Sequence, residues 1–250
     1  MQQKSNHETE KTYFLVSFKT LREISNEIIK EVDVLDLKNP EKGSIGSWEE
    51  NEIKKVISLY RGKVKISATL GDIFCEKEFQ VKLENFDKLN LDFIKFGLLA
   101  SKSIDLFNKI HVIEMKKYKT SLVCVVFVDI KNSLDSLIKN LQLIKTSGVS
   151  YVLLDTYKKG NGDLLSFCEI SFLKNIIFRC KNHDIKVGLA GSLKEHQVSS
   201  VIKLKPNIIG FRSAVCLGND RNSSIHVEKI KKISNYFKSL SSKAIQRAGA

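Results

Sequence analysis

The chain of 250 residues has few prolines and no long apolar run. Its two prolines, Pro40 and Pro206, argue against a proline-rich linker or a low-complexity segment. No uncharged apolar stretch is long enough for a transmembrane helix, and residues 1–12 lack the apolar core of a signal peptide. We therefore expect a cytoplasmic protein with no membrane partner, in which residues 1–12 form a frayed extension.

Cysteine and histidine are present without the spacings that mark cross-links or metal sites. The five cysteines are odd in number and include no CxxC pair, and the five histidines show neither HExxH nor another paired-ligand spacing. These absences argue against a disulfide framework and a structural zinc site. The GxGxxG fingerprint of dinucleotide-binding sheets is also missing after the first predicted strand. The sequence predicts no metal and no cofactor.

Positive charge is in excess, with 41 Lys and Arg against 28 Asp and Glu and a net charge of +13. Such an excess is typical of proteins with anionic partners, which include nucleic acid, membrane surfaces and phosphorylated metabolites. A lysine-rich solvated surface is the simpler alternative. Because the basic clusters are short and interleaved with apolar residues, we expect no nucleic-acid partner.

Eight short β-rich runs alternate with longer amphipathic segments. The runs are Tyr13–Phe18, Val32–Lys38, Val64–Leu70, Asp92–Gly97, Ser121–Asp129, Ser150–Asp155, Asp184–Gly191 and Asn207–Arg212. This alternation predicts an α/β fold, a single (β/α)₈ TIM barrel over residues 13–240 followed by a C-terminal tail at 241–250. A doubly wound open sheet is the competing fold, although it usually has fewer strands.

Helical spacing of apolar residues predicts helices between the strands. The segment between the first two strands carries such a face, formed by Leu21, Ile24, Ile28 and Ile29. Capping residues predict several helix starts: Thr20, Ser47 with Glu50 three residues later, and Asn132.

Charged residues occupy the inward-facing positions at the ends of the even-numbered strands. Alternate apolar residues suit the helix-facing side, so the residues between them point into the barrel: Asp36, Lys38, Lys95, Asp155 and Arg212. Side chains from alternate strands share a layer, so we expect these groups at the mouth where barrel enzymes carry out their chemistry. The alternative is a structural plug of Lys38–Asp36 and Lys95–Asp155 ion pairs.

Small residues follow the seventh and eighth predicted strands, where barrels often bind phosphate through backbone N–H groups. The predicted phosphate-binding residues are Gly191, Ser192, Arg212 and Ser213. Arg212 supplies a charge-assisted contact in this interpretation, although pairing with Asp155 is an alternative for its side chain. Ordinary tight turns are the alternative for the two loops.

Motifs at successive strand ends form a recognisable series. They are Asp36-Leu37-Lys38-Asn39-Pro40, Gly43-Ser44-Ile45-Gly46, Ser67–Asp72, Lys95–Leu98, Leu154–Thr156, Lys159-Gly160, Leu189–Leu193, Gly210–Arg212 and Gly218–Arg221. In this order, the motifs resemble those of the (5-formylfuran-3-yl)methyl phosphate synthase family of methanofuran biosynthesis. Phe18-Lys19 departs from the Pro-Arg that is more usual in the family, and residues 1–12 lie outside the resemblance.

The resemblance implies a cofactor-independent carbon–oxygen lyase that condenses two molecules of glyceraldehyde 3-phosphate, with loss of phosphate and water. It implies that Lys38 forms a Schiff base, that Lys95 transfers protons, and that Asp36, Asp155 and Lys159 complete the catalytic site. A Schiff base requires a neutral amine, and a second ammonium in a partly desolvated site favours that form.

Two other functions remain as alternatives. One is a class I-type aldolase or decarboxylase that acts on another phosphosugar. The other is a barrel-derived scaffold that holds an anionic polymer, although such a protein has no use for charged groups at the strand ends. The oligomeric state stays open between a monomer and a homo-oligomer.

Overall fold

Eight parallel strands close into a barrel in chain order, in a computed structural model that describes residues 11–73, 75–98 and 115–248. The strands are β1 Tyr13–Phe18, β2 Val34–Leu37, β3 Lys65–Thr69, β4 Phe93–Leu98, β5 Ser121–Phe127, β6 Tyr151–Asp155, β7 Lys186–Leu189 and β8 Ile208–Phe211. β8 pairs with β1, where Tyr13 lies opposite Ile208. The predicted (β/α)₈ barrel is confirmed.

Helices follow most strands and pack outside the barrel. They are α1 Glu50–Tyr60, α2 Glu76–Asp87, α3 Ser133–Lys139, α4 Leu141–Thr146, α5 Leu164–Phe167, α6 Ile170–Asn182, α7 Val198–Ile202 and α8 Val227–Ala248. Short 3₁₀ turns span Leu21–Glu23, Ile28–Lys30, Pro40–Lys42, Met115–Lys117, Glu195–Gln197, Ser213–Val215 and Leu217–Asn219. None of the helices in the described residues is long and apolar enough to cross a membrane.

The described residues include parts of the predicted extension and tail. Helix α8 continues as far as Ala248, through most of the span assigned to a C-terminal tail. Residues 1–10 of the predicted extension lie outside the described residues, whereas Lys11 and Thr12 already contact the barrel. Thr12 donates a hydrogen bond to the Pro206 carbonyl at 2.6 Å, and Lys11 pairs with Asp33 at 2.5 Å.

Strand alternation separates two apolar layers. Residues such as Leu35, Ile94 and Leu154 are fully buried between strands and helices, in a layer that holds most of the core. A smaller cluster fills the barrel interior, and Val34 and Leu153 belong to it. The even-numbered strands therefore have the inward and outward faces that the apolar pattern predicts.

The predicted helix between β1 and β2 is wrong. The segment forms two separate 3₁₀ turns, and Ile24 between them has an extended backbone. Ser25 begins the second turn, because its hydroxyl accepts a hydrogen bond from the Ile28 N–H as an N-cap residue does. Ile24 and Ile28 are nevertheless buried, so the apolar pattern identified core residues but not their conformation.

Of the three predicted helix starts, the one at Asn132 is confirmed, because α3 begins at Ser133 directly after it, although the Asn132 side chain makes no cap hydrogen bond. Thr20 precedes only a 3₁₀ turn and makes no cap hydrogen bond, and α1 begins after Glu49 rather than after Ser47. The Ser47 hydroxyl donates to the Trp48 carbonyl instead. Local bonding of this kind explains why a capping residue in a sequence does not fix the first residue of a helix.

The loop after β2 folds back over the carboxyl end of the barrel. The Asn39 N–H donates to the Gly46 carbonyl at 2.9 Å, and the Thr69 hydroxyl donates to that carbonyl at 2.8 Å. A Cβ at Gly46 would lie 2.2 Å from the Asn39 carbonyl oxygen, so only glycine allows this closure. Ile45 is 2% exposed and packs in the interior cluster, which fixes the backbone beside Lys38.

Candidate active site at the mouth of the barrel

A cavity opens at the carboxyl ends of the strands. It is lined by every residue predicted for the site: Asp36, Lys38, Lys95, Asp155, Lys159, Gly191, Ser192, Arg212 and Ser213. The inward periodicity of the even-numbered strands thus brings residues far apart in the chain to one mouth. Ser17, Pro40 and Arg221 also line the cavity, and sequence reasoning assigned no site role to them.

Lys95 and Asp36 form the most deeply buried ion pair of the mouth. The Lys95 Nζ lies 2.5 Å from the Asp36 Oδ1, and the two side chains are 4% and 0% exposed. The Ser17 hydroxyl donates to the Asp36 Oδ2 at 2.7 Å, which orients the carboxylate. Burial lowers the pKa of Lys95, and the nearby Lys38 lowers it further, while Asp36 opposes both effects.

Asp155 is a carboxylate shared by two lysines. Its Oδ2 accepts from the Lys38 Nζ at 3.1 Å, and its Oδ1 accepts from the Lys159 Nζ at 2.7 Å. The Thr156 N–H donates to the Oδ1 at 2.7 Å. Burial raises the pKa of Asp155, but the charges of Lys159 and Lys38 and these hydrogen bonds outweigh burial and hold it below its usual range.

Lys159 lies at the other side of this carboxylate. Besides Asp155, its Nζ donates to the Thr156 carbonyl and to the Thr156 hydroxyl, the latter at 3.0 Å. Burial and the positive charge of Lys38 lower the pKa of Lys159 to about 8, against the attraction of Asp155. Its titration therefore falls close to neutral pH, where a proton donor or acceptor works best.

The ion pairs differ from the plug that the sequence left as an alternative. Lys38 pairs with Asp155 rather than Asp36, and Lys95 pairs with Asp36 rather than Asp155. Lys38 follows Asp36 by two residues, which moves it about 7 Å along the strand direction toward the rim. Near the rim, the Lys38 ammonium contacts Asp155, whereas Asp36 lies deeper in the barrel and contacts Lys95.

Arg212 lines the cavity but uses all of its donors on the protein. Its five N–H groups meet five acceptors, which are the carbonyls of Ser17, Arg221 and Ser223 and both carboxylate oxygens of Glu23. The Glu23 contacts are 2.7 and 2.9 Å long, and the side chains are 11% and 9% exposed. Arg212 therefore ties the loop after β1 to the segment after β8 and does not pair with Asp155.

Replacing Glu23 by glutamine tests this clamp. Glu23→Gln removes the charge that balances Arg212 and leaves one carbonyl oxygen to serve the two guanidinium donors and the Lys19 N–H. We expect the free energy of unfolding in urea to fall by about 2–4 kcal/mol, since breaking a buried charge pair from one side is costly.

Glu52→Gln provides the matched control for that experiment. Glu52 pairs with Lys55 on the surface of α1, where the side chains are 43% and 61% exposed. Exposed pairs of this kind contribute about 0–1 kcal/mol. Equal losses of stability in Glu23→Gln and Glu52→Gln would contradict a structural role for the Arg212 clamp.

The loop after β7 brings backbone groups to the mouth of the barrel. Gly191 has a φ of +103°, and a Cβ there would lie 3.0 Å from the Thr156 nitrogen, so glycine permits both the turn and the close approach to β6. Ser192 also has a positive φ of 51°. The predicted phosphate-binding residues of the two loops therefore share the cavity with the lysines.

Three residues of the mouth escaped sequence reasoning. Ser17 had a signal, since it lies on the inward face of β1 two residues after Leu15. Arg221 also had a signal, since it ends the Gly218–Arg221 motif of the resemblance. Glu23 had none, because it lies outside the strands in a segment whose path only the tertiary structure defines. Lys19, where the sequence departs from the family pattern, bridges the Glu41 carboxylate at 3.1 Å and the Asn222 carbonyl at 2.8 Å.

Other polar strand ends serve the loops. Asp129, after β5, accepts from the N–H groups of Tyr157 and Lys158 at 2.6 and 2.7 Å and so holds the loop that carries Lys159. Across residues 11–73, 75–98 and 115–248, no group of three or more His, Cys, Asp or Glu side chains is arranged to hold a metal ion.

The fold is similar to that of solved TIM-barrel enzymes. A 3-hexulose-6-phosphate synthase from Salmonella typhimurium superposes with a TM-score of 0.63 at 13% identity, covering 91% of this chain and 99% of that structure. At this identity, the likeness concerns the fold.

Sequence comparison gives closer relatives. The (5-formylfuran-3-yl)methyl phosphate synthase of Methanosarcina acetivorans is 31% identical over 214 residues, which cover 80% of this chain and 88% of the relative. The synthase of the same name from Archaeoglobus fulgidus is 28% identical over 229 residues, covering 88% and 96%. A family model described as 4-HFC-P synthase matches residues 14–234. That span contains every charged residue of the mouth and all eight strands apart from Tyr13, the first residue of β1, and the chain belongs to the 4-HFC-P synthase family.

Proposed function

We propose that this protein is a (5-formylfuran-3-yl)methyl phosphate synthase that condenses two molecules of glyceraldehyde 3-phosphate, with loss of phosphate and water. Family membership supports the product, and the chemistry of the mouth supports the route. The observation that carries the proposal is the grouping of three lysines and two carboxylates around one cavity, with Asp155 in contact with both Lys38 and Lys159.

Lys38 is the Schiff-base lysine in this proposal. Its side chain is 12% exposed at the rim, so a triose phosphate can reach it from solvent, whereas Lys95 lies deeper. The neutral amine attacks a substrate carbonyl and water leaves. The resulting iminium withdraws electrons, which permits removal of a proton from the adjacent carbon and formation of the new carbon–carbon bond.

Lys95 transfers protons in the interior of the site. A lysine with a lowered pKa gives up its proton more readily than an ordinary lysine and can then accept one from a substrate carbon. Asp36 holds its Nζ at 2.5 Å and is itself oriented by Ser17, so the position of the amine is fixed before substrate arrives. Desolvation of the pair is the physical reason for the lowered pKa.

The phosphate-binding role proposed for the loops after β7 and β8 rests on their backbone groups. Gly191, Ser192 and Ser213 line the same cavity as the lysines, and glycine lets the backbone approach an oxyanion closely. Arg212 holds these loops in place rather than binding the phosphate itself, because its donors are already engaged by protein acceptors.

An assay of purified protein with glyceraldehyde 3-phosphate as the sole substrate tests the function. We expect a furan aldehyde phosphate, detected by its ultraviolet absorbance and identified by mass spectrometry, together with released inorganic phosphate. Folded protein that makes no furan, or that instead cleaves or decarboxylates another phosphosugar, would overturn the proposal in favour of an aldolase or decarboxylase.

Lys159 gives a pH-dependent prediction. We propose that its ammonium donates the proton that accompanies loss of water or phosphate, so kcat/KM falls as the pH rises through about 8, the pKa of Lys159 in the free protein. Lys159→Gln removes the titrating group, and we expect a loss of about 10²-fold or more in kcat. The decline near pH 8 disappears from the pH–rate profile of the variant.

Lys158→Gln is the matched control, because this neighbouring lysine is exposed and does not line the cavity. We expect it to keep both the rate and the decline near pH 8. A Lys159→Gln enzyme that retains the decline would assign the titration to another group and refute this role.

A further inference from the structure

The mouth holds more positive than negative charge. Five cationic side chains line the cavity, namely Lys38, Lys95, Lys159, Arg212 and Arg221. They face three carboxylates: Asp36 and Asp155 in the lining, and Glu23 behind Arg212. Five cations against three anions leave an excess of two positive charges. One arises because two lysines share Asp155, and the other is Arg221.

Arg221 differs from Arg212 in how its donors are used. Its Nη2 donates to the carbonyls of Gly43 and Pro40 at 3.2 and 3.4 Å. Among the described residues, its Nε and Nη1 make no hydrogen bond to a protein acceptor, and its side chain forms no ion pair. A guanidinium has five donors, so Arg221 keeps donors that Arg212 has spent.

Arg221 is nevertheless held in place. The Arg212 Nε donates to the Arg221 carbonyl at 2.8 Å, so the Glu23–Arg212 clamp fixes the backbone of Arg221. The carbonyls of the β2 loop hold the other end of the side chain. Burial lowers the pKa of Arg221, and the attraction of Asp155 opposes this shift. Arg221 lines the same cavity as Asp155 and Lys159, which locates it beside the reacting groups.

We propose that Arg221 binds a phosphate group of the triose phosphate substrate from the β2 side of the mouth. A phosphate accepts two parallel hydrogen bonds from a guanidinium, and the exchange replaces an unpaired cation by a charge-assisted pair. This proposal rests on the proposed function for the identity of the substrate.

The position of Arg221 suits a second phosphate. It reaches the mouth over β2, whereas Gly191 packs against Thr156 at the end of β6, on the opposite side of the eight-stranded ring. One phosphate at each side leaves the carbon atoms of two trioses between them, beside Lys38 and Lys95. The two excess positive charges then face two substrate phosphates.

Binding of glycerol 3-phosphate, measured by isothermal titration calorimetry, tests the proposal without catalysis. This ligand has the phosphate of the substrate but no carbonyl, so it cannot form a Schiff base. We expect Arg221→Gln to raise the Kd about 10- to 100-fold, the usual range for a hydrogen-bonded charged contact. Arg221→Lys keeps the positive charge but loses the planar guanidinium, so its Kd should lie between those of the wild type and Arg221→Gln.

Arg179→Gln is the control, because Arg179 is an exposed arginine on α6. It changes the net charge by the same amount, and we expect its Kd to equal that of the wild type. In steady-state kinetics with glyceraldehyde 3-phosphate, Arg221→Gln should raise KM more than it lowers kcat. Circular dichroism verifies that each variant is folded, and if Arg221→Gln is unfolded, Arg221→Lys decides the matter.

The outcomes separate this proposal from the proposed function. An unchanged Kd in folded Arg221→Gln overturns the Arg221 site, even in an enzyme that makes the furan. An equal loss in Arg179→Gln also overturns it, since the effect would then come from net charge. Failure of the wild-type protein to bind glycerol 3-phosphate would also overturn the Arg221 site. Arg221-dependent binding in a protein that makes no furan supports the site and leaves the function refuted.

Discussion

Lys38→Arg is expected to abolish formation of the furan, with kcat/KM at least about 10³-fold below the wild-type value, because the variant loses the nucleophile. Arginine keeps the positive charge beside Asp155, which Lys38 contacts at 3.1 Å, and Lys38 lies at the rim rather than in the core. The fold should therefore survive. A guanidinium stays protonated and cannot attack a carbonyl to form a Schiff base.

Borohydride trapping identifies the covalent step directly. Reduction of the wild-type enzyme in the presence of glyceraldehyde 3-phosphate should add the mass of a reduced triose phosphate to the peptide that contains Lys38. The adduct should be absent from Lys38→Arg and present in Lys139→Arg, an exposed lysine of α3 that serves as the control. Active wild-type enzyme with an unmodified Lys38 peptide would eliminate the Schiff-base mechanism.

Strand periodicity was sufficient to predict the barrel and the location of its charged mouth. A two-residue alternation decides which side chains face inward, and this holds for Asp36, Lys95 and Asp155 whatever the loops do. Apolar periodicity did not predict every element between the strands, since the segment after β1 has a helical apolar pattern but forms two 3₁₀ turns.

The ion-pair partners of the charged side chains in the mouth could not be predicted from the sequence. Which lysine pairs with which carboxylate depends on how far along its strand each residue lies. Lys38 pairs with Asp155 and Lys95 with Asp36, the reverse of the pairs in the plug that the sequence left as an alternative. Arg212 faces the cavity as predicted, yet its pairing with Glu23 depends on the path of the loop after β1. Residues on such loops acquire a role only when the tertiary structure brings them to the barrel.

Asp36→Asn is expected to give the largest loss of stability, about 3–5 kcal/mol in the free energy of unfolding at pH 7, because it leaves a buried lysine without its counter-ion. Lys95 and Asp36 are 4% and 0% exposed, so water cannot replace the lost partner. Asparagine has nearly the same shape and can still accept the Ser17 hydrogen bond. Asp135→Asn, at an exposed position of α3, is the control and should change stability by about 0.5 kcal/mol or less.

The loss in Asp36→Asn should shrink as the pH rises. Burial already lowers the pKa of Lys95 in the folded protein, and removal of Asp36 takes away the attraction that opposes this shift. The unfolded chain, with a lysine pKa of about 10.4, then binds more protons than the folded chain, so stability increases with pH toward that value. Urea denaturation between pH 7 and 10 measures the trend, and a deficit that stays constant over this range would contradict it.

Removing both charges separates the structural from the chemical role of the pair. Asp36→Asn combined with Lys95→Met leaves no unpaired ion in the core, so we expect the double variant to recover more than half of the stability lost in Asp36→Asn. Its activity should nonetheless stay as low as that of Lys95→Met, because the proton-transferring amine is gone. A stable double variant that still makes the furan would show that the pair only fills the barrel. A stable and inactive one would support a role for the pair in the chemistry of the site beyond filling the barrel.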